Sequence, residues 1–369
     1  MGRTVVVVGL GNIGSQLAPH LARMRYIGRV VLIDHGRYDE ANVETQAITP
    51  GEVGRSKALV QGIRLRRINP SIEVASISAP VEAVPLGHLR ADAILACVDS
   101  RAARQYLNQA ARHLGVTLVD SGVQADSSLA RVSIFRSPPD CACVECGWDQ
   151  ADYDAIEQSY PCHAERETPA PSNAPAHLGA LAAAVQAIEL QRLFAGDTNA
   201  DLGSHEIVID AASHRQFVTK FIRRSDCRLA DHDAWVVHKL RRLPEDVTLA
   251  QALAFRAGAN AALEVSLRVE NTPFVTKLTC LGCGAAVPML RLRRSLTERE
   301  RTCKTCRGRL EALGPDIADR LCGDGLPGDS QTRTLRSLGL EAGDIFSLKR
   351  GAYARFYELT GPTAPRSVQ

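Results

Sequence analysis

Thiols at fixed spacing are the first groups in this sequence that could do chemistry. Of 11 cysteines in 369 residues, four form Cys280-x2-Cys283 and Cys303-x2-Cys306, with nineteen residues between the pairs. Two such pairs predict a zinc ribbon, whose knuckles each give two thiolates to one tetrahedral ion. Cys143-x2-Cys146 is a single pair and needs partners from elsewhere. A second kind of chemistry begins at VVVVGLGNIGS, residues 5 to 15, where Gly9, Gly11 and Gly14 make a G-x-G-x-x-G turn. Such a turn brings backbone close to phosphates and aims a helix N-terminus at them. Asp34 falls twenty residues past Gly14, where a ribose-binding carboxylate sits in a dinucleotide-binding unit. NAD or FAD is the commonest meaning of this turn alone.

These groups need elements to hold them. Val5 to Val8 reads as a buried strand, Ser15 to Tyr26 as a helix, and Arg29 to Ile33 as a second strand ending at Asp34. A helix over 55–68, a strand over 73–78, a strand over 93–98 ending at Asp99, a helix over 102–114 and a strand over 116–119 continue the alternation. This order predicts an α/β fold, a Rossmann-like doubly wound and mostly parallel sheet, with ligand at the carboxyl ends of its strands. After Ser137 come the Cys141 to Cys146 cluster and the proline-rich HAERETPAPSNAPAH, which cannot be a regular element. A helix from His177 to Ala195 capped by Gly196, and strands over 206–210 and 216–222, follow. A domain over 1–242 and a smaller zinc-ribbon and β region over 243–369 are expected, the latter ending in a hairpin of Ile345 to Leu348 and Ala354 to Leu359.

Composition narrows the partners. With 45% hydrophobic and 23% charged residues the chain is globular, and a net charge of +3 is too mild to imply whole-protein binding to nucleic acid or membrane. The arginines of the ribbon segment, among them Arg291, Arg299 and Arg307, are interrupted by Glu298 and Glu300 and lack stacking aromatics, so nucleic acid is not expected there. No apolar run of spanning length is evident and Val5 to Val8 is too short for a signal-peptide core, so a cytoplasmic location is expected.

At 42 to 58 the sequence is NVETQAITPGEVGRSKA, and at 96 to 99 it is ACVD. The glycine turn, N-x-x-x-Q, G-x-x-K-A and C-x-D, in this order, resemble the ThiF/MoeB and ubiquitin-activating enzyme superfamily over about residues 4 to 240. Those enzymes adenylate the C-terminal glycine of a ubiquitin-like or sulfur-carrier protein. The resemblance implies that Gly9, Gly11 and Gly14 line an ATP site, Asp34 holds the ribose, Asn42, Gln46 and Lys57 contact phosphates, and Asp99 binds Mg²⁺. Carboxylate attack on an α-phosphate joins two anions, so a lysine and a carboxylate-held cation suit it, and hydride transfer needs neither. The bland alternatives are a solvated helix-start lysine at 57 and a helix cap at 99. One departure stands out: the family pattern carries arginine before the glutamine, and here that residue is Thr45. Arg37 and Arg55 are near enough in sequence to replace the lost guanidinium.

The resemblance also bears on the remaining cysteines. Superfamily members complete a zinc site past the long helix, where this chain has DCRLADH, residues 226 to 232. Cys227 fits, Ala230 does not, and His232 offers an imidazole as fourth ligand to the site of Cys143 and Cys146. A competing arrangement joins Cys143 and Cys146 to Cys280 and Cys283; two separate sites are preferred. Cys141 is an alternative ligand or an inert thiol. Cys162, at the head of the proline-rich loop, occupies the position from which relatives form a thioester, and His163 beside it could lower its pKa. Its other readings are a zinc ligand and an unreactive loop thiol. The expected protein is an ATP- and Mg²⁺-dependent activating enzyme with two structural zinc ions, a homodimer serving a carrier protein and a conjugating enzyme. Its rivals are a non-catalytic half of a paired activating enzyme and a nicotinamide dehydrogenase.

Overall fold

The structure is a computed structural model and describes residues 2–158, 174–196, 203–229, 232–257, 265–270, 272–322 and 329–361. The chain divides into two units, one of residues 1–81 with 89–234 and the other of 82–88 with 235–369.

The first unit is built on one sheet. Its elements are β1 (Arg3–Val8), α1 (Asn12–Ala22), β2 (Ile27–Ile33), α2 (Asn42–Thr45), α3 (Lys57–Ile68), β3 (Glu73–Ile77), β4 (Ala93–Ala96), α4 (Arg101–Leu114) and β5 (Thr117–Gln124). They continue with β6 (Leu129–Phe135), α5 (Gln150–Gln158), α6 (Ala176–Ala195), β7 (His205–Asp210) and β8 (Arg215–Lys220). The eight strands run in the order β3-β2-β1-β4-β5-β6-β7-β8. The first five are parallel, as the alternation of strand and helix predicts, and β6, β7 and β8 are added antiparallel. Val5, Val7, Val30, Leu32 and Leu95 are fully buried, as expected of strands covered on both faces.

Sequence reading missed β6. Ala130, Val132, Ser133, Ile134 and Phe135 are all buried, so the strand shows neither clean alternation nor a glycine or proline boundary. Sequence reading also missed that α6, at 20 residues, is long and apolar enough by length and composition to cross a membrane. Here it lies in the core, where Leu178, Ala182, Ala183 and Leu190 join the residues of α1 and the sheet, and it buries Gln186 and Glu189 as well.

The second unit holds β9 (Val237–Leu240), α7 (Leu249–Ala257), β10 (Val265–Val269), β11 (Phe274–Cys280), β12 (Ala286–Leu292), β13 (Leu310–Glu311) and β14 (Ile317–Ala318). It ends with β15 (Leu321–Cys322), β16 (Ile345–Arg350) and β17 (Tyr353–Leu359). A five-stranded sheet has the order β15-β10-β16-β17-β9, and β12-β11-β13 form another sheet with β14 also on β11. Leu267, Phe274, Leu292, Leu335, Phe346 and Leu348 make its core. The last hairpin pairs Ile345 with Glu358 and Arg350 with Tyr353, leaving Gly351 and Ala352 as the turn. Gly351 adopts φ +57°, a backbone region open to glycine and favoured at tight hairpin turns. Residues 82–88 belong here through Gly87, whose N–H donates to the Gly343 carbonyl at 2.8 Å.

Candidate nucleotide and metal sites

The glycine turn joins the carboxyl end of β1 to α1, and each glycine does a different job. Gly9 has φ +85°, and a Cβ there would lie 2.4 Å from the Cys97 carbonyl oxygen. A Cβ on Gly14 would meet the Gly9 carbonyl oxygen at 2.0 Å, so this glycine lets helix and turn touch. A Cβ on Gly11 would meet only Gln46 Nε2, at 3.9 Å. No side chain caps the N-terminus of α1 and no acidic residue occupies its first turn. Uncapped N–H groups beside a glycine backbone fit an anion such as a polyphosphate.

The expected partners converge around that turn. Lys57 is the first residue of α3, whose cap is Ser56, and its Nζ donates to Gln46 Oε1 at 3.3 Å. It is half-buried and lies 5.3 Å from the Tyr38 ring, so it is not the solvated lysine of the bland reading. Asp34 accepts from Leu10 N at 2.6 Å and from Gly36 N at 2.7 Å. One carboxylate oxygen therefore braces the turn and the other its own loop, and each keeps a lone pair for a further donor. A Cβ on Gly36 would come 3.1 Å from Asp34 Oδ1 and 3.3 Å from Lys57 Cε, which brings the acid and the lysine to one spot. Asn42 is buried and its Oδ1 accepts from Asp39 N at 3.2 Å.

Asp99 is exposed beyond β4, two residues past the Cys97 carbonyl that packs on Gly9. It does not cap α4, because Ser100 does, accepting from Ala103 N at 3.4 Å. Of the arginines that could stand in for the residue replaced by Thr45, Arg37 is tied to the Gly54 carbonyl at 2.8 Å. Arg55 is exposed and its side chain makes no hydrogen bond among the described residues. Cys162 and His163 lie outside the described residues.

Several residues here escaped sequence reading. Tyr38 is 1% exposed; its hydroxyl donates to the Leu10 carbonyl at 3.0 Å and accepts from Gln61 at 2.8 Å. Burial pushes its phenol above the ordinary range. Asn12 Nδ2 donates to the Ala174 carbonyl at 2.5 Å and ties α1 to the chain entering α6. Arg104 holds the buried Asp120 at 2.8 Å and the Val98 carbonyl at 2.9 Å, fixing the loop that carries Asp99. Among the described residues Cys97 is the thiol nearest the turn, and burial pushes it up to about 12.

Two thiol clusters form. Cys143, Cys146, Cys227 and His232 offer ligand atoms within 4.8 Å of one another, and so do Cys280, Cys283, Cys303 and Cys306. In the first, Sγ separations are 3.8 Å for Cys143 to Cys146 and 3.7 Å for Cys143 to Cys227, with His232 Nε2 at 3.9 Å from Cys146. In the second, Cys280 to Cys306 is 3.4 Å and Cys283 to Cys303 is 3.7 Å. Zn–S bonds of about 2.3 Å give a tetrahedral edge of about 3.8 Å, so both donor sets fit zinc. The competing arrangement, which joins Cys143 and Cys146 to Cys280 and Cys283, is not the one formed. Cys141 contributes its carbonyl instead of its thiol: His232 Nδ1 lies 3.2 Å from that oxygen, which leaves Nε2 facing the thiols. The buried Arg112 donates to the carbonyls of Ser137, Pro138, Cys141 and Ala142, and so holds the knuckle. The hydrogen bond between Cys143 and Cys146 raises the first thiol as it lowers the second, and the Cys306 N–H lowers Cys303. Thiolates so close together repel unless a cation offsets their charge.

A mostly parallel sheet with a glycine turn, a lysine beside it and an uncapped helix N-terminus defines a Rossmann-like α/β protein. The ThiF family matches residues 3–229, well over half of the sequence, and the chain belongs to it. Ubiquitin-like modifier-activating enzyme 5 of Branchiostoma floridae is 31% identical over 157 residues, 39% of this chain and 38% of that protein. The enzyme of the same name from Oryza sativa is 32% identical over 158 residues, covering 39% and 37%. The matched region is thus under two fifths of the length of these relatives. Among solved structures, E. coli MccB with ATP aligns at TM-score 0.50 and 20% identity over 62% of this chain and 66% of that one, a likeness of fold.

Proposed function

We propose that the chain uses ATP to adenylate the C-terminal glycine of a ubiquitin-like or sulfur-carrier protein, and that Cys162 then takes the acyl group as a thioester. The observation that carries this reading is the convergence of Lys57, Gln46 and Asp34 on the uncapped start of α1. In this reading the α1 N–H groups and Lys57 hold the phosphates, Gln46 orients Lys57, and Asp34 accepts from the ribose while bracing the turn. Arg55 supplies the guanidinium that Thr45 lacks. Asp99 is the ligand for Mg²⁺, which when bound offsets phosphate charge as the carrier carboxylate approaches the α-phosphorus. The Cys162 thiolate would attack the acyl carbon, forming the S–C bond as AMP leaves.

Family membership supports the reaction class, and the names of the relatives suggest a ubiquitin-like carrier. Zinc at both clusters is part of the proposal, with the ribbon as a platform for the carrier or a conjugating enzyme. A homodimer in the cytoplasm, where reduced thiols persist, completes it. Calorimetric titration tests the nucleotide: the full chain should bind Mg-ATP and not NAD. Binding of NAD alone would return the dehydrogenase reading.

A further inference from the structure

The outer face of the five-stranded sheet in the second unit carries a pocket that the adenylation reading does not use. Val265, Leu267 and Val269 of β10 join the core, so Ser266 and Arg268 point the opposite way. Arg268 is exposed as that geometry requires, yet Ser266 is only 8% exposed. Its cover is the wall of a cavity of about 320 Å³ lined by Ser266, Arg320, Cys322, Lys349 and Gly351.

Strand register builds this lining. Ser266 has Cys322 of β15 as its partner on one side and Lys349 of β16 on the other. Thiol, hydroxyl and ammonium therefore form one row across three adjacent strands, with neighbouring Cβ atoms about 5 Å apart. Arg320 precedes β15 and adds a guanidinium, and a Cβ built on Gly351 meets nothing within 4 Å, so the rim stays open. No carboxylate is among the described lining residues, and Glu270, which follows β10, is paired with Arg268 at 3.4 Å. The Ser266 side chain makes no hydrogen bond among the described residues. Ser266 lines the pocket, so a ligand oxygen there would give its hydroxyl a partner.

We propose that this cavity binds an anionic group, a phosphate or carboxylate on a small molecule, against Lys349, Arg320 and the Ser266 hydroxyl, with the Cys322 thiol beside it. The volume sits at the small end of ligand pockets and suits a small molecule, not a protein segment. The two cations give the charge, and the serine gives a fixed donor.

Competitive alkylation of the full-length, zinc-loaded protein tests it, read at Cys322 by peptide mass spectrometry. Iodoacetate and iodoacetamide attach through the same step, S–C bond formation with loss of iodide, but only iodoacetate carries a carboxylate. Its rate relative to iodoacetamide should exceed that of a free peptide of the same local sequence by about fivefold, equivalent to about 1 kcal/mol. Inorganic phosphate and N-acetylglycine are the two competitors, and the one that suppresses the excess at lower concentration names the group. Lys349→Ala and Arg320→Ala, both at exposed positions, should each lower the ratio toward the peptide value, and Ser266→Ala should weaken protection by the competitor. A wild-type ratio equal to the peptide's, no alkylation of Cys322 by either reagent, no protection by either anion, or ratios unmoved by the two cation variants would each overturn the proposal.

Discussion

Gly179→Ala is a demanding test of how α6 reaches the nucleotide site. A Cβ at 179 would lie 1.6 Å from Asn12 Oδ1 and 3.0 Å from the Asn12 carbonyl oxygen, inside contact distance of both. The Asn12 side chain cannot swing away without giving up its bond to the Ala174 carbonyl at 2.5 Å. Overpacking of this kind costs about 1–3 kcal/mol. For a domain of this size each kcal/mol lowers Tm by about 2–4 °C, so a fall of roughly 4–8 °C is expected for a cost of about 2 kcal/mol. Asn12 is the first residue of α1, so the displaced helix start should also weaken Mg-ATP binding. Adding Asn12→Ala removes the side-chain clash but not the carbonyl contact, and should restore about half of the lost Tm in a double-mutant comparison. The assays are thermal unfolding and calorimetric ATP binding on the four proteins. An unchanged Tm in Gly179→Ala, or no recovery when Asn12→Ala is added, would refute the stated packing.

Three further outcomes are expected. Metal analysis of the full chain should give about two zinc ions, falling to about one in a Cys280→Ser/Cys303→Ser variant and likewise in a Cys143→Ser/His232→Ala variant. A value unchanged by either pair removes that cluster as a site. Cys162→Ala should leave carrier-dependent pyrophosphate exchange largely intact and abolish a carrier adduct sensitive to reducing agent. If it lowers zinc content and Tm together, Cys162 is a ligand instead. Burial raises the Glu52 carboxyl, but the Thr49 N–H and Arg64 outweigh it, and the folded pKa lies below the ordinary value. Its stabilisation is therefore present above the unfolded pKa and lost as pH falls through the folded one, so Glu52→Gln should lower Tm more at pH 7 than at pH 3. Equal Tm differences at both values would contradict that assignment.

Local signals made half of this site legible. Gly9 to Gly14 and Asp34 sit at spacings fixed by one β-α-β unit, Lys57 opens the next long helix, and the ribbon thiols sit on two short knuckles, so sequence distance stands for spatial distance. His232 was legible because Cys227 had already marked the segment. The rest depends on contacts between distant stretches. Nothing near Asn12 announces Gly179, and nothing near Gly87 announces Gly343. Arg112 sits in a helix whose sequence reads as ordinary, although its guanidinium holds four carbonyls of the segment that leads into Cys143. Of the three antiparallel strands only β6 was hidden, and for a related reason: it is buried nearly throughout, which erases the alternation that would mark it.

Pyrophosphate exchange into ATP is the most direct test of the central claim. The full chain, given Mg-ATP and a ubiquitin-like protein ending in glycine, should incorporate labelled pyrophosphate only when that protein is present. Lys57→Ala should lower the rate by about 10²–10³-fold, the usual loss when a preorganised transition-state contact is removed, with Tm unchanged. Exchange that is undiminished in Lys57→Ala would contradict the site. So would a wild-type chain that binds NAD and catalyses no exchange.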